Sequence, residues 1–410
     1  MRRVVKVSRI RIIITIIVVV LTTLLTGCTG KEPNEIAYVV ALGIDSTDEY
    51  ANTTQISGGA SESGGKAGSE IVDNVTIEAP NIYAGVGLAN NIVSKSFSMS
   101  HAKLIVFSKE MAEKGVKDII ETLVRSEEIR PDVFIAVANT TANDYLTSVN
   151  PEMEVNPAQY YQLIYQKNQL VGIPDGQLRE FFTGLYTDNY DSILPVAGVI
   201  EGSGGNSQND DKGQSKDSQN EGSEGSSESL DSFESKSSNE KDENEKEKDA
   251  EKNTSKYEYD IKNYVGGETA IEKKNKAEAI GAAVFEKDKM VGELGEVETE
   301  ICKMLKGDYT YSYLTYYNND TPDIPITVKT TQQKKPKYKI DTDKKTVDIE
   351  LYIESDLYSL PADYNVENKI EDFERDVANY TSSACTEFIN NFTKKYNSDI
   401  LKLNEKVKYK

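Results

Sequence analysis

A long polar stretch, from Glu201 to about Lys256, sets the strongest limit on how this chain can fold. It consists almost entirely of Ser, Gly, Asn, Asp, Glu and Lys, and Leu230 and Phe233 are nearly its only large apolar residues. Such a composition buries too little apolar area to offset backbone ordering, which costs about 1–2 kcal/mol per residue. We therefore expect residues 201–256 to be a disordered acidic insert with folded structure before and after it.

Residues 1–27 have the order of a secretory signal peptide that ends in a lipobox. Lys and Arg residues at the start precede an almost wholly apolar run from Ile12 to Leu25. This run is shorter than the ~20 residues that a helix needs to cross a bilayer. Leu25, Thr26 and Gly27 then lead into Cys28. A branched residue, two small residues and a cysteine in this order are typical of lipoprotein processing.

The lipobox predicts that Cys28 becomes the first residue of the mature protein and carries diacylglycerol on its sulfur. Two or more acyl chains, of the palmitate type, hold a protein on a bilayer with about 0.8 kcal/mol per buried methylene. We therefore expect the chain to lie on the outer face of the bacterial cytoplasmic membrane without spanning it. The alternative is an ordinary signal peptide that ends near a cysteine.

Residues 28–150 alternate strand patterns with helix patterns. Apolar, β-branched runs predict strands at Ile36–Asp45, Tyr50–Ser57, Ile71–Ala79, Lys103–Phe107 and Asp132–Val137. One helix is predicted from Ile82, and another follows Ser108, whose hydroxyl can cap it, and reaches Leu123. Gly58–Ser69 reads as a flexible loop. This order predicts an N-terminal mixed α/β domain.

Residues 151–295 are predicted as a middle region that the acidic insert interrupts. Helix patterns occur at Thr140–Leu146, just before this region, and at Ala158–Leu170 and Gln177–Leu185. A strand pattern at Ser192–Ile200 precedes the insert, and a hairpin from Ala277 to Gly292 follows it. The two flanking strands should lie close together, so that the insert projects from the fold as an exposed loop. An acidic loop that attracts cations or basic partners is the alternative.

Residues 296–410 predict a C-terminal α+β domain. A short helix from Val297 to Leu305 ends at Gly307, the residue type that suits a left-handed helix end. Strand patterns then follow at Tyr309–Leu314, Ile326–Gln332, Tyr338–Ile340 and Thr346–Ile353. Apolar residues from Ile370 to Tyr396 recur every three or four positions, which predicts a long amphipathic helix over an antiparallel sheet. The fold class is therefore α+β or mixed α/β, with several domains and mixed sheets covered by helices.

Nothing in the sequence forms a catalytic or metal-binding motif. His101 is the only histidine, so a Ser or Cys nucleophile would have a single candidate base. Zinc-binding and phosphate-binding motifs are absent as well. We predict no catalytic residue, no metal site and no cofactor, and hence no enzyme. His101 is assigned a structural role, and Asp45 is interpreted as a turn or cap residue rather than a catalytic carboxylate.

Three other features leave alternatives open. Cys302 and Cys385 fall in predicted helices and are expected to be reduced, buried thiols, although a disulfide between them is conceivable in an exported chain. The tyrosines of Tyr309–Tyr317 should cover one face of a sheet, with a sugar or a partner protein as the alternative contact. The excess of 68 acidic over 47 basic residues disfavours a nucleic-acid partner.

The run Ile36–Asp45 comes shortly after the lipobox, and His101–Phe107 leads through a predicted helix to Glu128–Val133. These stretches resemble the opening strand and the central segment of the Ger(x)C spore-germination lipoproteins, the C subunits of nutrient germinant receptors. The run Ala283–Gly292, followed by a helix with Glu298 and Thr299, resembles the start of the family's C-terminal domain, and Tyr396–Ile400 fits its end. The chain departs from the family in having no tryptophan and in carrying the acidic insert.

The resemblance implies a three-domain lipoprotein on the outer face of the spore inner membrane, assembled with two integral-membrane subunits to trigger germination. It carries over no active-site residue, because the family is defined by its role and not by a catalytic motif. A solute-binding lipoprotein of a transporter is the alternative function, and it would need two similar lobes around a cleft. A lipid-anchored hydrolase is a third possibility that the missing catalytic motifs disfavour.

Overall fold

The computed structural model describes residues 11–20, 35–46, 51–58, 71–92, 95–150, 157–166, 172–187, 190–200, 263–269, 275–318, 321–360 and 369–408. The lipobox Leu25–Cys28, residues 59–69 of the predicted loop and the insert 201–256 lie outside these ranges. The boundaries at residues 150 and 295 that the sequence suggests for three domains stay predictions.

The secondary structure alternates in type through most of the described chain. The strands are β1 Ile36–Asp45, β2 Ala51–Gly58, β3 Ile71–Glu78, β4 Ser96–Ser98, β5 Leu104–Phe107, β6 Phe134–Ala138, β7 Ile193–Val199, β8 Ala277–Glu286, β9 Lys289–Leu294, β10 Tyr311–Asn318, β11 Thr321–Asp341 and β12 Thr346–Ser359. Residues 11–20 form helix α1. The other helices are α2 Ile82–Ile92, α3 Lys109–Lys114, α4 Lys117–Val124, α5 Ala142–Ser148, α6 Pro157–Gln166, α7 Leu178–Tyr186, α8 Glu296–Lys306, α9 Ile370–Lys395 and α10 Leu403–Lys408.

Nine of the described strands form one mixed sheet in the order β3-β2-β1-β5-β6-β7-β8-β9, and β4 also pairs with β1. Its centre, β1, β5, β6 and β7, is parallel. Antiparallel strands are added at both edges. The central strands are buried on both faces, as expected for parallel strands whose sequences are continuous apolar runs.

Helices cover both faces of this sheet. Helices α2, α3, α4 and α7 pack on one face and α5 and α6 on the other. Strand β1 contributes to both layers: Val39 and Leu42 belong to the first, whereas Val40 and Ala41 belong to the second. Two neighbouring residues share a face because the pairing of β1 with β2 shifts between Val39 and Ala41, as at a β-bulge.

The predicted long helix over an antiparallel sheet is confirmed. Strands β10, β11 and β12 form a second sheet, and α9 packs across it. The ring of Tyr316 on β10 lies with its centroid 6.2 Å from that of Phe373 and 6.0 Å from that of Tyr380. Farther along α9, Phe388 and Phe392 join a core with α8 and with strands β8 and β9. The apolar stripe of α9 is thus part of the protein's own core.

The single helix predicted after Ser108 is wrong, because the chain forms α3 and α4 with a break at Gly115. Ser108 does cap α3, since its Oγ accepts from Met111 N over 3.2 Å. Gly115 then adopts φ +123°, a conformation outside the helix. This turn lets Val116 N donate to Asp288 O over 3.0 Å. The break is therefore fixed by the β8–β9 hairpin, which is distant in sequence.

The separate strands predicted at Ile326–Gln332 and Tyr338–Ile340 are also wrong, because both lie in the continuous strand β11. Its pairing with β12 shifts between Gln332 and Lys337, so the polar run that suggested a break is accommodated as an irregularity inside the strand. The short strand β4 and the helix α10 had no clear pattern in the sequence.

Candidate functional site

The predicted lipidation site, Cys28, and the lipobox residues Leu25, Thr26 and Gly27 lie outside the part of the chain that the structure describes. Just before them, α1 carries large apolar side chains that are 50–56% exposed from Ile12 to Val20. Among the described helices, none has both the length and the apolar character that crossing a membrane requires.

Asp45 has the capping role predicted for it, but the helix that it caps is distant in sequence. Its Oδ1 accepts from Ala142 N over 2.6 Å and its Oδ2 from Asn143 N over 3.1 Å, at the start of α5. Burial raises the pKa of Asp45, an effect that these two backbone donors oppose. Because both oxygens accept from the first residues of α5, Asp45 holds this helix on the end of β1.

His101 packs against Tyr38, and the ring centroids are 4.3 Å apart in an edge-to-face arrangement. Its Nδ1 lies 3.1 Å from Ser100 Oγ. Among the described residues, no group of three or more His, Cys, Asp or Glu side chains could hold a metal ion. These contacts give His101 the structural role that the sequence suggested.

Cys302 and Cys385 are both buried and free, so the predicted reduced thiols are confirmed and no disulfide joins them. Burial raises the pKa of each thiol to about 11. Because the thiolate is the reactive form, neither cysteine is a nucleophile at neutral pH.

The tyrosines of Tyr309–Tyr317 do not cover a single face, contrary to the prediction. Tyr316 is buried beneath α9, whereas Tyr313 is 50% exposed and stacks edge-to-face on Tyr358 with centroids 5.1 Å apart. The two residues lie on opposite faces of β10, because successive strand residues alternate. The side chain of Tyr317 lies outside the described part.

A small cavity between α7, the start of β7 and the end of α8 concentrates charged side chains that the sequence analysis did not single out. We call it the acid–amine pocket, and its volume is about 270 Å³. Its charged and aromatic lining comprises Asp175, Glu180, Phe181, Tyr190, Lys303, Lys306 and Asp308. The only sequence sign of it is Lys303, a lysine that interrupts the apolar face of α8 between Cys302 and Met304.

Burial shifts the protonation of several groups around the acid–amine pocket. It raises the pKa of Asp175. It also raises the pKa of Glu180, and the negative charge of the neighbouring Asp175 raises the Glu180 pKa further. Burial lowers the pKa of Lys303, whose Nζ donates to Ile173 O over 3.1 Å. Burial also acts to lower the pKa of Lys306. Electrostatic interactions with nearby groups, of which Tyr190 is the strongest, outweigh this effect, so the pKa of Lys306 is raised. Lys306 therefore keeps its positive charge.

Helix α8 also holds a partly buried carboxyl group, Glu300, against strand β10. Burial raises its pKa to about 7 from an ordinary value of 4.5, although Ser312 Oγ donates to Glu300 Oε1 over 2.7 Å. Since the folded-state pKa is the higher one, Glu300 favours the folded state fully below about pH 4.5. That stability is lost as the pH rises through about 7.

Replacing Glu300 by Gln should therefore stabilise the protein at alkaline pH. Gln keeps the shape and can accept from Ser312, but it does not titrate. At 1.36 kcal/mol per pKa unit, the advantage of Glu300→Gln in the free energy of unfolding should grow by about 2 kcal/mol between about pH 5 and pH 8. Urea unfolding at both values measures this. Glu387→Gln, at an exposed position on α9, is the matched control, and an equal effect of Glu300→Gln at both pH values would contradict the assignment.

Two family models match the chain on either side of the acidic insert. The model described as "Spore germination protein N-terminal domain" matches residues 30–199. The one described as "Spore germination B3/ GerAC like, C-terminal" matches residues 280–410. Together they account for most of the sequence. The chain belongs to the Ger(x)C family of spore germination proteins.

Individual relatives of this Ger(x)C protein are distant. It is 29% identical over 144 residues to "Putative spore germination protein YfkR" of Bacillus subtilis (strain 168), covering 33% of this chain and 37% of that one. It is 24% identical over 185 residues to "Spore germination protein GerQC" of Bacillus cereus, covering 44% and 50%. The matches thus span half or less of these relatives. The crystal structure of the GerBC protein aligns with a TM-score of 0.44 and 13% identity over 88% of this chain and 84% of that one.

The stretches that resemble the Ger(x)C family contact one another in the structure. In the central segment, Met99 N, two residues before His101, donates to Glu128 Oε2 over 2.8 Å. At the C-terminal end, Ser398 Oγ donates to Phe285 O over 2.8 Å, and Tyr396 OH donates to Glu293 O over 3.2 Å. The family-like stretches are therefore joined by hydrogen bonds between segments that are distant in sequence, such as the C-terminal end and the β8–β9 hairpin.

Proposed function

We propose that this Ger(x)C protein is the lipid-anchored, non-catalytic subunit of a spore nutrient germinant receptor. In this proposal lipid on Cys28 holds it on the outer face of the spore inner membrane, where it acts with two integral-membrane subunits to trigger germination. The observation that carries the proposal is the match to both domains of a germination family, in a chain whose residues 1–28 have the order expected of a signal peptide and a lipobox.

The chemistry of the described residues supports a non-catalytic role. Asp45 and His101, the strongest catalytic candidates in the sequence, are engaged in helix capping and in aromatic packing. The two buried cysteines are poor nucleophiles, because burial raises their pKa. The Ger(x)C family is a family of germination proteins and not a known enzyme family.

Germination of spores that lack this chain tests the proposal. The spores should lose at least about 90% of their initial germination rate with one or more nutrients, and a plasmid copy should restore it. Their response to a trigger that bypasses nutrient receptors should be unchanged, which controls for general damage. In spore membranes solubilised in mild detergent, a C-terminally tagged copy should co-purify with two integral-membrane proteins.

Normal germination with every nutrient, combined with a loss of uptake of one solute in growing cells, would overturn the proposal. That result would favour the solute-binding lipoprotein of a transporter. Lost germination without any co-purifying membrane protein would retain a germination role but contradict a receptor complex.

A further inference from the structure

Strand β12 forms a free edge of the second sheet. In the order β10-β11-β12 it pairs with β11 alone among the described strands. The 14 residues of β12 therefore leave one row of backbone N–H and C=O groups without a strand partner in the described part of the chain. An exposed edge of this kind is a template on which a further strand can pair.

A long groove lies along this edge, between β12 and α9, and we call it the edge groove. Its volume of about 1240 Å³ equals that of roughly forty waters in the liquid at about 30 Å³ each, which is room for several side chains. Four consecutive residues, Thr346, Val347, Asp348 and Ile349, line it. A groove that touched only one face of β12 would be lined by alternate residues. The edge groove thus follows the free edge as well as the inner face of β12.

The inner wall of the edge groove is apolar. Val347 is 38% exposed, although Ile340, its cross-strand partner on β11, is buried. The wall combines apolar residues of two elements, Val347, Ile349, Leu351 and Ile353 of β12 and Val377, Ala378, Cys385 and Ile389 of α9. A strand that lay in the groove would bury its inward side chains against this wall, which favours binding by about 25 cal/mol per Å² of apolar area.

The outer face of β12 is acidic. Its acids Asp348, Glu350, Glu354 and Asp356 are all exposed and are spaced by even numbers of residues, so that they share one face. Strand β11 places a lysine opposite three of these four acids, namely Lys339 opposite Asp348, Lys337 opposite Glu350 and Lys329 opposite Asp356. The existing neighbour of β12 therefore shows which chemistry suits this face, because opposite charges on paired strands stabilise a sheet.

The free edge lacks such a basic neighbour. Asp348 and Glu354 both line the edge groove, and neither forms an ion pair with a Lys or Arg of the described residues. The acids also argue against a second copy of this chain as the occupant. Two β12 strands paired with each other would place acidic side chains beside acidic side chains, which destabilises a sheet.

We propose that the edge groove binds an extended segment of a partner protein in which apolar and basic residues alternate. The segment pairs with β12 as a fourth strand of the second sheet. Its apolar side chains contact Val377 and Ile389, and its Lys or Arg side chains lie beside Asp348 and Glu354. Backbone hydrogen bonds supply affinity in this mode of binding, and the alternating side chains supply specificity. The pairing does not depend on the receptor role, so either proposal can fail alone.

Fluorescence anisotropy with synthetic peptides tests this proposal. The full-length protein is held in phosphatidylcholine nanodiscs, which carry no net charge and leave no free detergent to fill the groove, and empty nanodiscs are the control. A labelled peptide of about nine residues, in which Lys alternates with Val, is long enough to form one strand. It should bind at least about tenfold more tightly than a peptide in which Glu replaces Lys.

Methylation of the peptide backbone shows whether binding occurs by strand pairing. One version carries methyl groups on the Val nitrogens and the other carries them on the Lys nitrogens. In a paired strand, alternate N–H groups point towards the neighbouring strand and the others point away. One version should therefore lose at least about tenfold in affinity, and the other should bind nearly as well as the unmodified peptide.

Variants of the protein locate the site. Ala378→Trp should fill the edge groove from α9 and weaken the Lys peptide about tenfold or more. Asn379→Trp, at the next exposed position, which does not line the groove, is the matched control. The double variant Asp348→Lys with Glu354→Lys should prefer the Glu peptide, whereas Glu387→Lys on α9 should keep the wild-type preference. Thermal unfolding shows that each variant is folded.

Several results would count against strand addition at β12. They are equal affinity for the Lys and Glu peptides, equal effects of the two methylation patterns, and wild-type binding by a folded Ala378→Trp protein. If no peptide binds, the proposal also fails, and the acids of β12 serve only to keep the free edge from pairing.

Two further results would replace the proposed occupant and so overturn the proposal. A dimer of the protein that Ala378→Trp dissociates would assign the edge groove to a second copy. Binding of a fluorescent fatty acid that Ala378→Trp abolishes, without binding of any peptide, would assign it to an acyl chain. None of these results bears on whether spores without the chain germinate.

Discussion

Replacing Cys28 by Ala should release this Ger(x)C protein from the membrane. If lipid on Cys28 is the anchor, the variant carries no acyl chains. Each buried methylene of such a chain contributes about 0.8 kcal/mol to the affinity for the bilayer. Even one chain of ordinary length gives only marginal binding, so the loss of two should lower the membrane-bound fraction by orders of magnitude. Detergent-free fractionation followed by immunoblotting measures the result, and circular dichroism of the released protein should show a native fold.

The host strain and the signal peptide must be chosen so that lipid on Cys28 is the only difference in membrane attachment between the variant and the wild-type protein. The host should lack the two proposed integral-membrane subunits, so that protein contacts with them do not retain the variant. Residues 1–27 should be replaced by a conventional cleaved signal peptide in a second version, so that an uncleaved apolar run cannot act as an anchor. Cys385→Ala, which alters a different cysteine, is the matched control and should stay on the membrane. Equal retention of the Cys28→Ala variant and the wild-type protein in this host would contradict lipid anchoring.

The central strands of the large sheet could be predicted from the sequence, because each strand is marked by the composition of its own short segment. Strands β1, β5 and β6 are short apolar runs rich in β-branched residues, and such runs suit strands that are buried on both faces. The apolar stripe of α9 was equally clear in the sequence, since Phe373, Val377 and Tyr380 recur at the helical period. All three side chains are buried in the structure.

Features that depend on distant contacts could not be predicted in the same way. The break between α3 and α4 is fixed by Asp288, and the carboxylate of Asp45 caps a helix that starts at Ala142. The acid–amine pocket is a stronger example, because Asp175 and Lys306 lie on opposite sides of the acidic insert in sequence. No periodicity in either segment shows that they meet.

Residues 263–269, which follow the insert, had no strand or helix pattern, yet the structure packs them closely on the sheet. Gly266 N donates to Ile280 O over 3.1 Å, and both Gly267 N and Thr269 Oγ1 donate to the buried carboxylate of Glu278. The segment also reaches α8, where Asn263 Oδ1 accepts from Val297 N over 3.1 Å. Its order comes from polar contacts and from glycine backbones, which hydrophobic patterns do not report.

Replacing Gly198 by Ala should destabilise the protein strongly, because this segment lies directly on strand β7. A Cβ at position 198 would lie 2.2 Å from Gly267 N and 2.3 Å from Gly266 C, and both are backbone atoms that cannot rotate away. Either β7 or residues 263–269 must move, which would disturb the hydrogen bonds to Ile280 and Glu278. Overpacking typically costs about 1–3 kcal/mol in the free energy of unfolding, and the short distances to backbone atoms place Gly198→Ala at the upper end of this range. Urea unfolding monitored by circular dichroism measures the change.

Gly87→Ala is the matched control for this prediction. Gly87 lies inside helix α2, and a Cβ there would meet nothing within 4 Å. The same substitution should thus stabilise the protein by up to about 1 kcal/mol, because Ala is the better helix former. Opposite signs for the two variants would show that close backbone approach at Gly198, and not the loss of a glycine as such, is responsible. A Gly198→Ala protein as stable as the wild type would mean that residues 263–269 do not pack on β7 as the structure places them.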